Sequence, residues 1–169
     1  RNAEGVAIKL IGTVQDVTDR RRAEEQLRAS EARYRTFVEH VNDAMFLHAE
    51  DGTIQDVNQR ACDGLGYARE EMIGCLPFRF DPDLTPEILK GLQIQLHANQ
   101  AVSLETRHRR QDGTTFPVEV RIRPFWIEGK RYGISLAQDI TQRKQNELEL
   151  RASEARWREL ADAIPQIVW

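Results

Sequence analysis

A seven-residue segment occurs twice in this chain, and the second copy begins 123 residues after the first. Residues 27–33 read LRASEAR, and residues 150–156 repeat those letters without change. The similarity continues upstream, where residues 15–18 (QDVT) correspond to residues 138–141 (QDIT). A fixed period with a charged segment at each junction indicates an array of similar domains joined by helices. We therefore expect the end of one unit, one whole unit and the beginning of a third.

The bulk composition is that of an ordinary globular chain, with 40% hydrophobic and 30% charged residues. One repeat is close to the commonest domain size and is long enough to bury a core. The net charge of −3 gives no electrostatic case for nucleic acid. No apolar run is long enough to span a membrane, and no signal peptide is visible. The two cysteines, Cys62 and Cys75, lack zinc-binding spacing and fit a reducing, cytoplasmic compartment.

The segment after residue 18 is predicted to be a helix with a seam of apolar or small residues. The steps along this seam alternate between four and three residues, which is the heptad pattern of paired helices. Small and polar members make the pairing weak, so we expect a homodimer contact that shifts register easily. The alternative is a single amphipathic helix lying on its own domain. The seam positions are Ala23, Leu27, Ser30, Tyr34, Phe37 and Val41.

The first part of the complete unit is predicted to hold two strands and several helices. Strands are expected at residues 44–50 and 53–58, on either side of the Asp51-Gly52 turn. Short helices are expected at residues 59–66 and 68–73, where glycines interrupt the pattern. A loop with three prolines precedes an amphipathic helix at residues 87–98.

The last third is predicted to be three antiparallel strands, separated by turns at Asp112-Gly113 and Glu128-Gly129. Apolar and polar residues alternate along each strand, so one face of each should be buried. On the last strand we expect Tyr132, Ile134 and Leu136 to face inward. The predicted fold class is α+β, a five-stranded antiparallel sheet with short helices on one face.

Four segments together resemble the PAS domain family. They are residues 58–61 (NQRA) leading into Gly66-Tyr67, residues 70–74 (EEMIG), residues 111–120 (QDGTTFPVEV) and residues 139–141 (DIT). Their order and spacing cover residues 31–141. The resemblance implies a PAS fold with flanking linker helices and a sensory or dimerising module of a tandem bacterial signalling protein. Such modules commonly lie upstream of histidine kinases in two-component systems, diguanylate cyclases or phosphodiesterases.

The repeat and the resemblance together predict five parts. Residues 1–18 would be the last strand of a preceding PAS unit, and residues 19–41 a linker or signalling helix. Residues 42–141 would be the complete PAS domain, residues 142–164 a second linker helix, and residues 165–169 the start of a following unit. The expected partners are neighbouring PAS domains and an output domain in the same chain, together with a second copy bound through the linker helices or the outer sheet face.

A sheet that curves against helices encloses an apolar space where a small apolar ligand binds. The alternative is that the same side chains simply fill the core. The candidate lining residues are Phe46, Leu65, Tyr67, Met72, Leu89, Leu92, Leu104, Val118, Val120, Ile134 and Leu136.

No bound cofactor or metal is predicted. Flavin-binding light sensors of this family carry an Asn-Cys-Arg-Phe type motif, whereas residues 74–80 here read GCLPFRF, with no Asn before Cys75. Haem sensors need an axial histidine on the long helix, where His97 is the only candidate and lies at the helix end. No histidine has the i, i+4 spacing of a metal pair.

The junction between the last strand and the second linker helix is the predicted relay. Asp139 precedes the expected cap Thr141, and we expect its carboxylate to reach Arg143 one turn later.

No catalytic motif is present, which argues against catalysis. The function that the resemblance implies is sensing and relay. The alternative is a ligand-free spacer between other sensors. A more distant alternative is docking of an acidic partner on the arginines of the outer sheet face.

Overall fold

The computed structural model describes residues 18–163, and the side chains of residues 20–161. Residues 1–17 of the predicted preceding strand and the segment 165–169 lie outside this range. The structure divides into a unit that ends at Phe37 and a unit that begins at Val38. The helices are α1 (Thr18–Glu39), α2 (Gln59–Leu65), α3 (Arg69–Met72), α4 (Pro86–His97) and α5 (Thr141–Ala163), with a 3₁₀ turn at Pro77–Arg79. The strands are β1 (Ala44–Ala49), β2 (Ile54–Val57), β3 (Val102–Arg109), β4 (Thr115–Ile127) and β5 (Lys130–Asp139).

The first linker helix ends two residues earlier than predicted, because α1 ends at Glu39 and Val41 lies beyond it. The side chain of Asn58 explains this end. Its amide nitrogen donates to the carbonyl oxygens of Val38 and Asp43, and the Glu39 carboxylate accepts from the backbone N–H of Gln59. These bonds hold the chain as it turns from α1 toward β1, so Val41 is not a helical seam position.

All five strands form one antiparallel sheet in the order β2-β1-β5-β4-β3. The last strand therefore lies at the centre, between β1 and β4. This arrangement confirms the predicted α+β class with a five-stranded antiparallel sheet. The buried core packs on one face of the sheet, and its members are Phe46, Ile54, Val57, Ala61, Cys62, Leu65, Met72, Phe80 and Ala137.

The inward face of β5 is the opposite of the one predicted. Gly133, Ser135 and Ala137 are buried, whereas Ile134 and Leu136 lie between them on the other face and are only half-buried. Small residues occupy the inner face of this central strand because large side chains from β1 and β4 flank it. A Cβ added at Gly133 would lie 3.8 Å from Ile122 Cγ2 and 3.9 Å from His48 Cβ, which is ordinary van der Waals contact, so this position has room for a side chain.

The apolar residues of β5 instead pair on the outer face. Leu136 is opposite Met45 and Ile134 is opposite Leu47 in the register of β1 and β5. The sheet thus has an apolar patch on each face, and the alternation along β5 alone does not distinguish them.

Candidate functional site

A cavity of about 90 Å³ lies between the inner face of the sheet and α4. Leucines of α4 form one wall, and the opposite wall comes from β1, β3, β4 and β5. A turn at residues 77–84 completes the enclosure. The residues around it are Phe46, His48, Ala49, Glu50, Gly52, Pro77, Phe80, Asp81, Leu84, Leu89, Leu92, Gln93, Leu96, His97, Leu104, His108, Val120, Ile122, Arg131, Tyr132, Gly133, Ser135 and Ala137.

Five of the candidate lining residues border this cavity: Phe46, Leu89, Leu92, Leu104 and Val120. The other six lie elsewhere. Leu65 and Met72 are buried in the core beneath α2 and α3, with Tyr67 packed against that core. Val118 is also buried, beside a second cleft, and Ile134 and Leu136 lie on the outer face. The helical periodicity of α4 indicated which of its side chains share one face, and its leucines border the cavity. The segment 59–74 has no such periodicity, so the directions of its side chains could not be predicted.

His48 is the first polar group that sequence reasoning missed. Its Nδ1 lies 3.3 Å from the carbonyl oxygen of Gly52, and its Nε2 lies 2.7 Å from Ser135 Oγ. A carbonyl only accepts, so Nδ1 carries the proton and Nε2 accepts from the Ser135 hydroxyl. Burial lowers the pKa of His48 to about 4, so the imidazole is neutral.

His108 is the second such group, and aromatic rings surround it. The ring meets Phe46, Phe80 and Phe116 edge-on, with centroids 6.1, 5.8 and 6.0 Å away. Burial alone lowers its pKa to about 4. Within the described part of the chain, no group forms a hydrogen bond with this imidazole. The sequence held one indication that His108 would be buried: the alternation along β3 puts it on the same face as Leu104.

Asp81 is a buried carboxylate at the edge of the cavity. Its Oδ1 accepts from the backbone N–H groups of Asp83 and Leu84, each at 3.0 Å, and from Thr106 Oγ1 at 2.9 Å. Burial raises the pKa of Asp81 despite these bonds. The side chain therefore fixes the turn before α4 and adds negative character to one wall.

Charged residues gather at the mouth of the cavity. Arg131 Nη1 lies 3.2 Å from Glu50 Oε1, and His97 Nε2 lies 3.3 Å from the same oxygen. The guanidinium of Arg131 also lies 4.6 Å from the ring centre of Trp126. Gln93 Nε2 donates to the carbonyl oxygen of Asp51, which ties α4 to the turn between β1 and β2. The mouth therefore joins α4 to the turn after β1 and, through Glu50, to β5.

The size and chemistry of the cavity bear on cofactors. Its volume is below the ~300–1,000 Å³ of pockets that hold drug-sized ligands. The candidate cysteine Cys75 lies outside the cavity lining, where its thiol donates to the carbonyl oxygen of Glu71. His97 lies at the mouth and pairs with Glu50. Among the described residues, no three His, Cys, Asp or Glu side chains converge as metal ligands.

Residues in the predicted relay are arranged differently from expectation. The Asp139 carboxylate accepts from the backbone N–H of Thr141 at 2.8 Å and so caps the start of α5. It does not pair with Arg143. That guanidinium instead donates to Glu105 at 2.7 Å and to Glu119 at 3.2 Å. The physical reason is that α5 begins beside β3 and β4, whose carboxylates the sequence separation did not reveal.

Glu105 and Glu119 are directly opposite each other in the register of β3 and β4. Like charges in this position repel. Arg143 contacts both carboxylates, and Lys144 Nζ lies 2.6 Å from Glu105 Oε2. The first turn of α5 therefore supplies the positive charge that this pair of strands needs.

Three of the four arginines of the predicted docking face (Arg107, Arg109, Arg121 and Arg123) have partners within the domain. Arg107 forms a bidentate pair with Asp83 at 2.6 and 2.7 Å, and Arg121 pairs with Glu119 at 3.1 Å. Arg109 donates to the carbonyl oxygen of Arg79. These contacts hold the outer face together.

Comparison with known proteins identifies the family. The sequence profile described as "PAS domain" matches residues 42–142, which is more than half of the chain. The chain belongs to the PAS domain family. The chain is similar to the crystal structure of a PAS domain of an HTR-like protein from Haloarcula marismortui. The two share 30% sequence identity and superpose with a TM-score of 0.67, over 71% of this chain and 99% of that chain.

Curated relatives of this PAS domain are sensor proteins. A methyl sulfide methyltransferase-associated sensor of Methanosarcina acetivorans is 30% identical over 135 residues, which cover 79% of this chain and 14% of the relative. The C4-dicarboxylate transport sensor protein DctS of Rhodobacter capsulatus is 36% identical over 133 residues, which cover 75% of this chain and 20% of the relative. The chain thus spans a fifth or less of these two relatives. Among the described helices, none is both long and apolar enough to cross a membrane.

Proposed function

We propose that this PAS domain is a sensory module in which occupancy of the cavity is relayed through α5 to an output domain, such as a histidine kinase. One observation carries the proposal. The residues that line the cavity on β3 and β4 are next in sequence to the glutamates that hold α5. Leu104 and Val120 border the cavity, while Glu105 and Glu119 contact Arg143.

The alternation of a β-strand explains why these neighbours are coupled. Successive side chains point to opposite faces, so a strand moved by a ligand on the inner face carries its outer residues with it. Leu104 is opposite Val120 in the register, just as Glu105 is opposite Glu119. A ligand that spreads or tilts this strand pair would therefore change the spacing of the two carboxylates under Arg143.

The energies are compatible with a switch. Linked sites typically couple by about 1–3 kcal/mol. Three partly exposed ion pairs hold the first turn of α5, and such pairs are individually weak. A coupling of that size is therefore enough for a modest movement of the strands to loosen the helix start.

A tandem, dimeric arrangement is the second part of the proposal. The repeat of residues 27–33 at residues 150–156 supports two equivalent linker helices. Large apolar side chains of both helices are exposed in the single chain, which favours pairing with a second copy. They are Leu27, Tyr34 and Phe37 on α1 and Leu150, Trp157 and Leu160 on α5. The same exposure, with the small cavity, also favours the alternative of a ligand-free spacer.

The relay is tested by filling the cavity permanently. Gly133 lines the cavity with a backbone that accepts a side chain, so Gly133→Leu places an isobutyl group there. We expect the backbone amides of residues 141–146 to change their hydrogen-exchange rate severalfold. Arg143→Gln in the same background should reduce that change, because it removes the charged link to Glu105 and Glu119.

Gly91→Leu is the matched control, since Gly91 lies on α4 and a Cβ there would meet no atom within 4 Å. It should leave the exchange of residues 141–146 unaltered. If Gly133→Leu folds, fills the cavity and leaves these amides unaltered as well, the relay is refuted and the spacer function is favoured.

A further inference from the structure

We infer that the cavity binds a small, neutral aromatic molecule of about one ring that carries a hydroxyl or ring N–H group recognised by Ser135 and His108. This inference rests on the proposed sensory function and specifies the chemical class of the signal. It follows from the unused hydrogen-bonding capacity of these two side chains, the aromatic wall and the distribution of charge.

Ser135 offers an acceptor to the cavity. Its hydroxyl hydrogen is used in the bond to His48 Nε2, since the other ring nitrogen of His48 donates to Gly52. The oxygen of Ser135 keeps its lone pairs, and the residue borders the cavity. A ligand with an O–H or N–H group therefore finds an oriented acceptor on the central strand.

His108 offers a second, unsatisfied group. A neutral imidazole has one N–H donor and one acceptor nitrogen, and no described residue bonds to either. Among the described residues, no fully enclosed side-chain nitrogen or oxygen lacks a partner. The ring nitrogens of His108 are therefore not fully enclosed, and the residue borders both the cavity and the cleft beside α2. An imidazole that reaches a cavity without a protein partner offers a donor and an acceptor to a ligand there.

The walls favour a flat, apolar body. Phe46 and Phe80 stack with their ring centres 5.5 Å apart, and His48 continues the stack from Phe46 at 6.3 Å. Leu89 and Leu92 of α4 close the other side. An apolar cavity of roughly 150 Å³ holds a benzene molecule. The cavity here, at about 90 Å³, is smaller but of the same order, so it suits one ring rather than a fused cofactor.

The charges favour a neutral ligand. Both histidines inside the cavity are uncharged at neutral pH, and Asp81 contributes the one carboxylate in the wall away from the mouth. The cationic Arg131 is at the mouth and is already paired with Glu50. An organic anion would therefore enter without a free cation to receive it.

The test measures the affinity of the whole chain for phenol, toluene and benzoate by isothermal titration calorimetry. Phenol and toluene differ in the hydroxyl group, and benzoate adds a negative charge. We expect phenol to bind and benzoate to bind at least about tenfold more weakly. The ratio of phenol to toluene affinity should fall by about fivefold in Ser135→Ala or in His108→Phe, as expected for one lost hydrogen bond.

Two further variants locate the site. Gly133→Leu should abolish phenol binding if the molecule enters the cavity, whereas binding that persists would place it in the cleft and overturn the inference. Ser103→Ala changes a serine on the outer face of the sheet, which contacts Glu119, and should leave the ratio unaltered. An unchanged ratio in both Ser135→Ala and His108→Phe, or benzoate binding tighter than phenol, would also overturn it. Because none of these measurements involves α5, such a failure is distinct from failure of the relay.

Discussion

His48 and His108 show how single residues set the character of this site. Both lie on the inner face of the sheet, on β1 and β3, and burial lowers each pKa to about 4 from the usual 6.5. His48 has hydrogen-bond partners at both ring nitrogens, the carbonyl oxygen of Gly52 and the hydroxyl of Ser135. His108 has aromatic neighbours, so the protonated form would lose hydration without gaining a partner. Two neutral imidazoles therefore give the cavity polarity without charge.

The depressed pKa values predict an acid-sensitive domain. Between pH 6.5 and pH 4 the unfolded chain binds protons at these histidines and the folded chain does not. The free energy of unfolding should thus fall as the pH drops through this window, by about 3 kcal/mol per histidine. Urea unfolding of the wild-type chain and His108→Phe across this range checks the prediction.

The two proteins differ in how far the free energy of unfolding falls with pH. That difference reports the protonation of His108, because the carboxylates titrate equally in both. We expect His108→Phe to show a clearly shallower decline. An equally steep decline would mean that His108 is protonated in the folded state.

At the scale of elements, the boundaries of α2 follow from local chemistry. Asn58 caps the helix by accepting from the N–H of Ala61 at 3.0 Å. Gly66 ends it with φ +78°, and its N–H donates to the carbonyl oxygen of Cys62 at 2.8 Å. Asparagine before a helix and glycine after it can be recognised in the sequence. The further hydrogen bonds of Asn58 with Val38, Asp43 and Met45 join residues distant in sequence and could not be predicted from it.

Replacing each of two glycines at the end of α2 by alanine should change the stability of the domain in opposite directions. Gly66→Ala should reduce the free energy of unfolding by about 1–2 kcal/mol, because a side chain is strained at positive φ. Gly64 lies within the helix, and an added Cβ there would meet no atom within 4 Å. Gly64→Ala should therefore raise the free energy of unfolding by about 0.5–1 kcal/mol. Chemical denaturation of the two variants measures both; the same sign for both would contradict this account of the helix end.

At the scale of the whole molecule, the two linker helices present apolar side chains that the single chain leaves uncovered. Trp157 is 70% exposed and Tyr34, its counterpart in the repeat, is 69% exposed. Charged residues flank them, so the helices remain compatible with water while offering a weak contact. The proposed dimer would use this seam.

Trp157→Glu should shift the chain from dimer toward monomer, because a carboxylate replaces an apolar seam residue. Leu148→Glu is the matched control, since Leu148 is 65% exposed on the same helix but off the seam. Light scattering over a range of concentrations gives the association constant of each. Equal weakening by both, or by neither, would show that α5 does not pair through the predicted seam.

Local patterns in the sequence were sufficient for most elements and for the fold class. Turn pairs such as Asp112-Gly113, helical periodicity in α4 and period-2 alternation in the strands depend on neighbouring residues alone. The same locality indicated one apolar face of α4, and Leu89 and Leu92 of that helix border the cavity. The repeated linker was visible for the same reason.

The tertiary structure alone decided which face of each element was used. An alternating strand has two possible inward faces, and β5 turned its glycine, serine and alanine inward because it lies centrally between the large side chains of β1 and β4. The partner of Arg143 depended on where β3 and β4 meet α5, far away in sequence. The cavity and its two histidines arose in the same way, from strands that come together only when the sheet closes over α4.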